Sequence, residues 1–232
     1  MSARGGISAR RTLRSPSAAC LAGEVPRLIQ KGLVEEAKQC ALKYEKIFGK
    51  GNYYLELQDH GLPEQKELNP KLIALDTMNL WINTTRDTLL EAIKKVDILF
   101  VNETEARMLA QEKKFAHAIA KLLEMGPKRV VVKLGELGAM TATKDTRFFA
   151  PAFPSLDVTD PTGAGDSFAG GFMGSLAKHL DFTEKGFRKS MLYGSAMGSL
   201  TVENFSVETY GKNFDPKRIE ERFQALKDMV TL

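Results

Sequence analysis

The strongest constraint on how this chain folds is an alternation that begins at Leu72. Short apolar runs, LIALD at Leu72–Asp76, DILFV at Asp97–Val101 and RVVVKLG at Arg129–Gly135, are separated by stretches with helical periodicity. Apolar runs this short, without polar alternation, read as strands covered on both faces, and the connections between them have room for crossover helices. Leu89, Leu90, Ile93 and Val96 share one helical face, with TMNLWINTT leading into it; NETEARML starts another helix, and Ala116–Glu124 forms a third. GAMTAT and RFFAP, between Gly138 and Pro151, read as a hairpin-like strand pair, and further helices are expected from Gly163, from about Thr183 and from Pro216. The whole is an α/β pattern: a mostly parallel sheet with helices on both faces. Ligands of such sheets sit at the carboxyl ends of the strands, where Asn102, Gly135 and the turn at Gly163 fall.

That turn belongs to DPTGAGDSFAGGF, Asp160–Phe172, where glycines run straight into a helix. Ala164, Phe168, Ala169, Phe172, Met173, Leu176 and Ala177 recur at helical spacing, so the apolar face starts at the turn itself. Backbone N–H groups of Gly163, Ala164 and Gly165 then converge at the positive end of the helix, which suits an anion such as a phosphate. Asp166 stands beside them. A carboxylate there is either an ordinary first-turn acid or a base placed to take a proton from an alcohol attacking a bound phosphoryl group.

DPTGAGDSF resembles the second signature of the PfkB/ribokinase family of carbohydrate kinases; the stretch fits neither GxGxxG nor a Walker A loop. The resemblance runs from about Leu72 to Val207 and meets the family's blocks in order. DTMNLWI resembles the segment that follows a central strand. NETE, Asn102–Glu105, is similar to the NxxE motif, which implies that Asn102 and Glu105 help place Mg²⁺ and phosphate through water; it also reads as a plain helix start with acids on the dipole. KLGELG, Lys133–Gly138, is similar to the segment lining the nucleotide site, which assigns Gly135 and Gly138 to the base or ribose, although either also serves as a turn glycine. Lys133 stands where ribokinase carries a hydroxyl-bearing residue, and it either pairs with a phosphate or points to solvent. GSAMGSLTVE, Gly194–Glu203, resembles the helix that closes the adenine pocket, with Ser195 where ribokinase has an amide; its small residues suit packing on a flat ligand or on another helix. Asp160 and Thr162 either help fix a monovalent cation, as the resemblance implies, or only shape the turn.

The implied activity is in-line phosphoryl transfer from ATP to a sugar or nucleoside hydroxyl. Asp166 would act as base, the Gly163, Ala164 and Gly165 amides would stabilise developing charge, and Mg²⁺ would be placed through Glu105. The implied fold is ribokinase-like, truncated at its N-terminal half, with a small α/β appendage.

The residues upstream resemble something else. Val34, Ala37, Cys40, Ala41, Tyr44, Ile47 and Phe48 line one face of an expected helix, the Gly49–Asn52 turn follows, and Tyr53–Leu57 reads as a short strand. CLAGEVPRLIQKG with IFGKGNYYLELQDHGLPEQKELNPKL, roughly Ala18–Leu72, is similar to an internal piece of the polymerase-and-histidinol-phosphatase (PHP) domain in the alpha subunit of bacterial DNA polymerase III. The resemblance points to Cys20, Glu56 or His60 as members of a metal-binding set. The paired histidines that open that domain are missing, and a metal site needs three or four convergent ligands. A docked helix and strand without metal is the alternative. The expected organisation is a disordered basic tail at 1–19, a PHP-like fragment at 20–71 and a kinase-like domain at 72–232, joined near Pro70–Leu75 by a fusion or a gene-model accident.

The kinase family's amino-terminal half supplies acceptor contacts, a first glycine-rich signature and a small strand lid, and none is recognisable before Leu72. Impaired transfer is therefore expected, together with an exposed apolar sheet edge that favours self-association or pairing with a complementary half. The competing functions are a noncatalytic nucleotide-binding or interaction module and a remnant of a PHP-type phosphoesterase.

Charge bears on partners. The formal net charge is +4, yet Arg4, Arg10, Arg11 and Arg14 precede the first acid at Glu24, and without them the signs balance at 29 each. The sequence thus lacks the basic stripe of a nucleic-acid binder. It also lacks a membrane-length apolar run. Cys20 and Cys40 make neither a CxxC pair nor a disulfide framework, which suits a reducing, cytoplasmic setting; the Arg- and Ser-rich start alternatively fits an organelle import signal.

Overall fold

A computed structural model of the chain describes residues 52–56, 70–205, 208–210 and 214–231. Six strands, β1 (Asn52–Glu56), β2 (Leu72–Asp76), β3 (Ile98–Asn102), β4 (Arg129–Lys133), β5 (Gly138–Ala142) and β6 (Arg147–Pro151), lie side by side in chain order. β1 to β4 are parallel, and β5 and β6 close the far edge as an antiparallel pair. The helices are α1 (Asn79–Thr84), α2 (Arg86–Ile93), α3 (Glu103–Ala110), α4 (Phe115–Glu124), α5 (Ala164–His179), α6 (Glu184–Thr201) and α7 (Lys217–Val230).

Period-two alternation sorts the strand residues into two cores. Leu75, Leu99, Val101, Val130 and Val132 face α1 to α4, while Ala74, Ile98, Phe100, Val131, Ala139 and Ala150 face α5, α6 and α7. Both faces are covered, which is why the runs are apolar without interruption. Phe100, fully buried, meets Phe172 of α5 edge to face with centroids 5.2 Å apart. Burial of each such side chain is worth about 1.5–3 kcal/mol, and the aromatic geometry adds to it.

α5 and α6 pack more closely than side chains would permit. A Cβ on Gly194 would lie 2.9 Å from the Phe168 carbonyl oxygen, one on Gly198 would lie 3.1 Å from that of Ala164, and one on Gly171 would lie 2.7 Å from that of Tyr193. The small residues of GSAMGSLTVE therefore serve contact between helices. Of the two partners that the sequence allows them, flat ligand or second helix, these glycines face the second helix.

The sheet also holds a polar interaction that the apolar pattern hides. Arg129, 4% exposed at the start of β4, bonds the Thr141 hydroxyl at 3.1 Å, pairs with Glu184 of α6 and stacks on Phe187 with its guanidinium 3.9 Å from the ring centre. It ties the strand to the first turn of α6.

β1 pairs in parallel register with β2, Tyr54 opposite Ala74, so the segment with the PHP resemblance adds a strand to the sheet. The outer edge of β2 is therefore paired and not open. Among the described residues no helix is long and apolar enough to cross a membrane. The expected tail at 1–19, the helix at 34–48, Cys20, Cys40 and His60 lie outside the described residues.

Candidate functional site

The carboxyl ends of β2, β3 and β4 place Asp76, Asn102 and Lys133 at one end of the sheet, Asn102 directly opposite Lys133 in the register. The turn at Gly163 comes to the same place. Gly163 adopts φ 80°, a left-handed conformation that favours glycine, and is the N-cap of the 16-residue α5 with no side-chain cap bond. No side chain caps the first turn, but the Ala164 N–H donates to the Pro161 carbonyl at 3.2 Å, so of the three expected cradle amides that of Ala164 already has a partner. Asp160 Oδ1 accepts the Thr162 N–H at 2.9 Å, and the Thr159 and Asp160 N–H groups donate to the Val202 carbonyl. This lashes the turn to the end of α6, and turn shaping is the contact that Asp160 makes with Thr162.

Asn102 and Glu105 form a reciprocal capping box: the Glu105 N–H donates to Asn102 Oδ1 and the Asn102 N–H donates to Glu105 Oε2, both at 2.8 Å. The expected helix start and the expected motif residues are thus the same object. Glu105 is 5% exposed. Burial pushes its carboxyl above the usual range, the Asn102 amide and Lys133 pull it back, and Asp76 adds to the rise.

Lys133 does not point to solvent. Two residues beyond Val131 on β4, it projects toward α5, and its Nζ lies 2.5 Å from Asp76 Oδ2, with the two side chains 17% and 7% exposed. Asp76 Oδ1 accepts the Thr77 N–H at 2.9 Å. A Cβ on Gly165 would lie 3.2 Å from Lys133 Nζ, so the missing side chain at Gly165 leaves the room that the ammonium occupies.

Asp166, in the first turn of α5, keeps an exposed side chain, yet the surrounding protein strips water from its carboxylate and raises its pKa; Asp76 raises it further and Lys133 opposes both. One carboxylate, Asp76, thus touches the ammonium, and Glu105 and Asp166 lie within its electrostatic reach.

Gly135 and Gly138 have φ 61° and 115°, so each occupies a conformation that favours glycine. A Cβ on Gly138 would meet the Ala150 carbonyl oxygen at 2.2 Å, which makes strand contact its first constraint; none meets anything at Gly135, which opens to space. Ser195 is 6% exposed and its hydroxyl has no hydrogen-bond partner. An orphaned buried hydroxyl, in the helix expected from the family resemblance to close an adenine pocket, is what a missing ligand or water would leave. The residues present therefore fit a nucleotide carrying a terminal phosphate.

Among the described residues no group of three or more His, Cys, Asp and Glu side chains is placed to hold a metal ion. Glu56 ends β1. An open groove lined by Arg86, Asp87, Leu90 and Met125 contains none of the residues above. Asp76 is the site residue that motif spacing misses. Its signal in the sequence is an acid closing an apolar strand at the end where ligands bind.

An open α/β sheet with an uncapped glycine turn, an adjacent acid and a strand-end NxxE box defines the class: a ribokinase-like kinase fold. Residues 63–211 match the pfkB family carbohydrate kinase, and the chain belongs to that family. Residues 8–60 match the PHP domain. The bifunctional ribokinase/ribose-5-phosphate isomerase A of Fructilactobacillus sanfranciscensis is 38% identical over 118 residues, 49% of this chain and 21% of its own. DNA polymerase III subunit alpha of Treponema pallidum is 50% identical over 56 residues, 24% of this chain and 5% of its own. The crystal structure of an E. coli ribokinase II in complex with ATP and Mg²⁺ is 25% identical with a TM-score of 0.62, over 79% of this chain and 61% of that one. The chain thus spans less than two thirds of the length of each of these relatives.

Proposed function

We propose that this chain is the nucleotide half of a sugar or nucleoside kinase, transferring the terminal phosphoryl group of ATP to an alcohol. The observation that carries the reading is the uncapped turn at Gly163 with Asp166 three residues on. The Gly163 and Gly165 amides hold the group being transferred and meet the charge that develops on it, the Ala164 N–H being bonded to the Pro161 carbonyl. Asp166 takes the proton of the attacking hydroxyl, a role that its raised pKa suits, because a base nearer neutrality drives the transfer better. Asn102 and Glu105 hold the water shell of Mg²⁺, which when bound neutralises phosphate charge. Gly135, Gly138 and Ser195 line the base and ribose. Asp160 and Thr162 either order a monovalent cation behind the turn or only keep the turn's shape.

Turnover is low in this proposal, because the contacts that orient an acceptor are not recognisable before Leu72, and orientation accounts for ~7–11 kcal/mol of barrier lowering where it is complete. The chain works in the cytoplasm, on small molecules, by itself or beside a complementary half. Calorimetric titration with MgATP, followed by a phosphotransfer assay over a panel of sugars and nucleosides, tests the reading. Binding with measurable transfer supports it; binding without transfer to any acceptor makes the chain a noncatalytic nucleotide module; no binding removes it.

A further inference from the structure

We infer that Lys133 is the cation that meets the terminal phosphoryl group at the Gly165 turn, and that Asp76 is the positioning residue that holds it there. The inference rests on the kinase reading above, and it adds a catalytic cation and its guide to the amide turn.

Lys133 closes β4 on the face that α5 covers, and its stem passes Gly165: a Cβ there would lie 3.6 Å from both Lys133 Cδ and Cε and 3.2 Å from Nζ. The ammonium thus sits against the turn whose amides form the anion cradle. It reaches this point by crossing β3 to Asp76 on β2, at 2.5 Å. Asp76 is itself fixed, because Oδ1 accepts the Thr77 N–H and leaves Oδ2 to the lysine.

The charged groups that act on one another here are Asp76 from β2, Glu105 from α3 and Asp166 from α5, with Lys133 from β4 as the cation common to them. An ammonium carries three donors and the bond to Asp76 takes one, so an anion on the Gly165 amide can share the lysine without breaking the pair. Thr77, beside Asp76, is 8% exposed and its hydroxyl has no hydrogen-bond partner, a second sign that polar atoms belong at this strand end. A purely structural ion pair would account for the contact with Asp76, but not for the placement of the ammonium against Gly165, where a Cβ would lie 3.2 Å from Nζ.

The test measures affinity by calorimetry on the full chain, for the Mg²⁺ complexes of β,γ-methylene-ATP and of ADP. Their ratio reports the terminal phosphoryl group alone. Lys133→Met is expected to lower the triphosphate-to-diphosphate preference at least tenfold while ADP affinity stays within about threefold. Asp76→Asn, which frees the lysine from its guide, is expected to lower it three- to tenfold. Should Lys133→Met fail to fold, the double variant Asp76→Asn/Lys133→Met, which leaves neither charge unpaired, gives the same reading. A preference unchanged within twofold in the lysine variants overturns the inference and leaves the kinase reading standing; one unchanged in Asp76→Asn alone removes the role of Asp76. Wild-type chain that binds neither nucleotide overturns both.

Discussion

Asp166 is raised by loss of water and by Asp76, and lowered by Lys133, so its neighbours predict how its titration responds to mutation. A base works only when deprotonated. Activity should therefore fall as pH drops through the raised pKa, with an acid limb above the usual carboxylate range. Asp76→Asn removes a like charge and should move that limb to lower pH; Lys133→Met removes the opposing charge and should move it higher. A pH–rate profile of the two variants checks both directions, and a common shift in one direction contradicts the assignment. Much of this site is legible in the sequence, because glycines, an acid and the helical spacing after them lie within a dozen residues. Asp76 is only partly legible: an acid closing LIALD marks a strand end, but its partner lies 57 positions away and no local pattern names it. The direction of Lys133 is half legible: period two aligns it with Val131, but which face of the sheet α5 covers is a property of topology.

The elements themselves follow the sequence closely where period and length agree. LIALD is β2 as read, and the expected starts at Gly163, Thr183 and Pro216 are the N-cap residues of α5, α6 and α7. Packing between elements is less legible, because a glycine in a helix signals only that something comes close. Gly194 shows what. A side chain there would drive its Cβ to 2.9 Å from the Phe168 carbonyl oxygen and 3.0 Å from two ring carbons. Gly194→Val should therefore separate α6 from α5 and cost about 1–3 kcal/mol, the usual penalty for overpacking. Urea denaturation measures this as a lower midpoint with the slope unchanged. A midpoint equal to that of the wild type would contradict the close packing.

At the scale of the molecule, the sheet is shared between the two family resemblances. β1 comes from residues that match the PHP domain and pairs with β2, the outermost strand of the kinase part. No local pattern could reveal this, since a short strand can pair with any open edge. Tyr54→Pro removes a backbone donor from β1 and should disrupt the pairing. Hydrogen exchange should then show faster exchange for part of Leu72–Asp76, while Ile98–Asn102 and Arg129–Lys133 stay protected. Unchanged protection of β2 would mean that the two strands do not pair in solution.

If the acid after the glycine turn carries the chemistry, the deciding comparison is phosphoryl transfer from ATP by wild-type chain and by Asp166→Asn, with nucleotide affinity measured on the same samples. Transfer should drop about 10²–10⁴-fold in the variant while MgATP binding is kept. Equal transfer rates in the two proteins would take the chemistry away from Asp166.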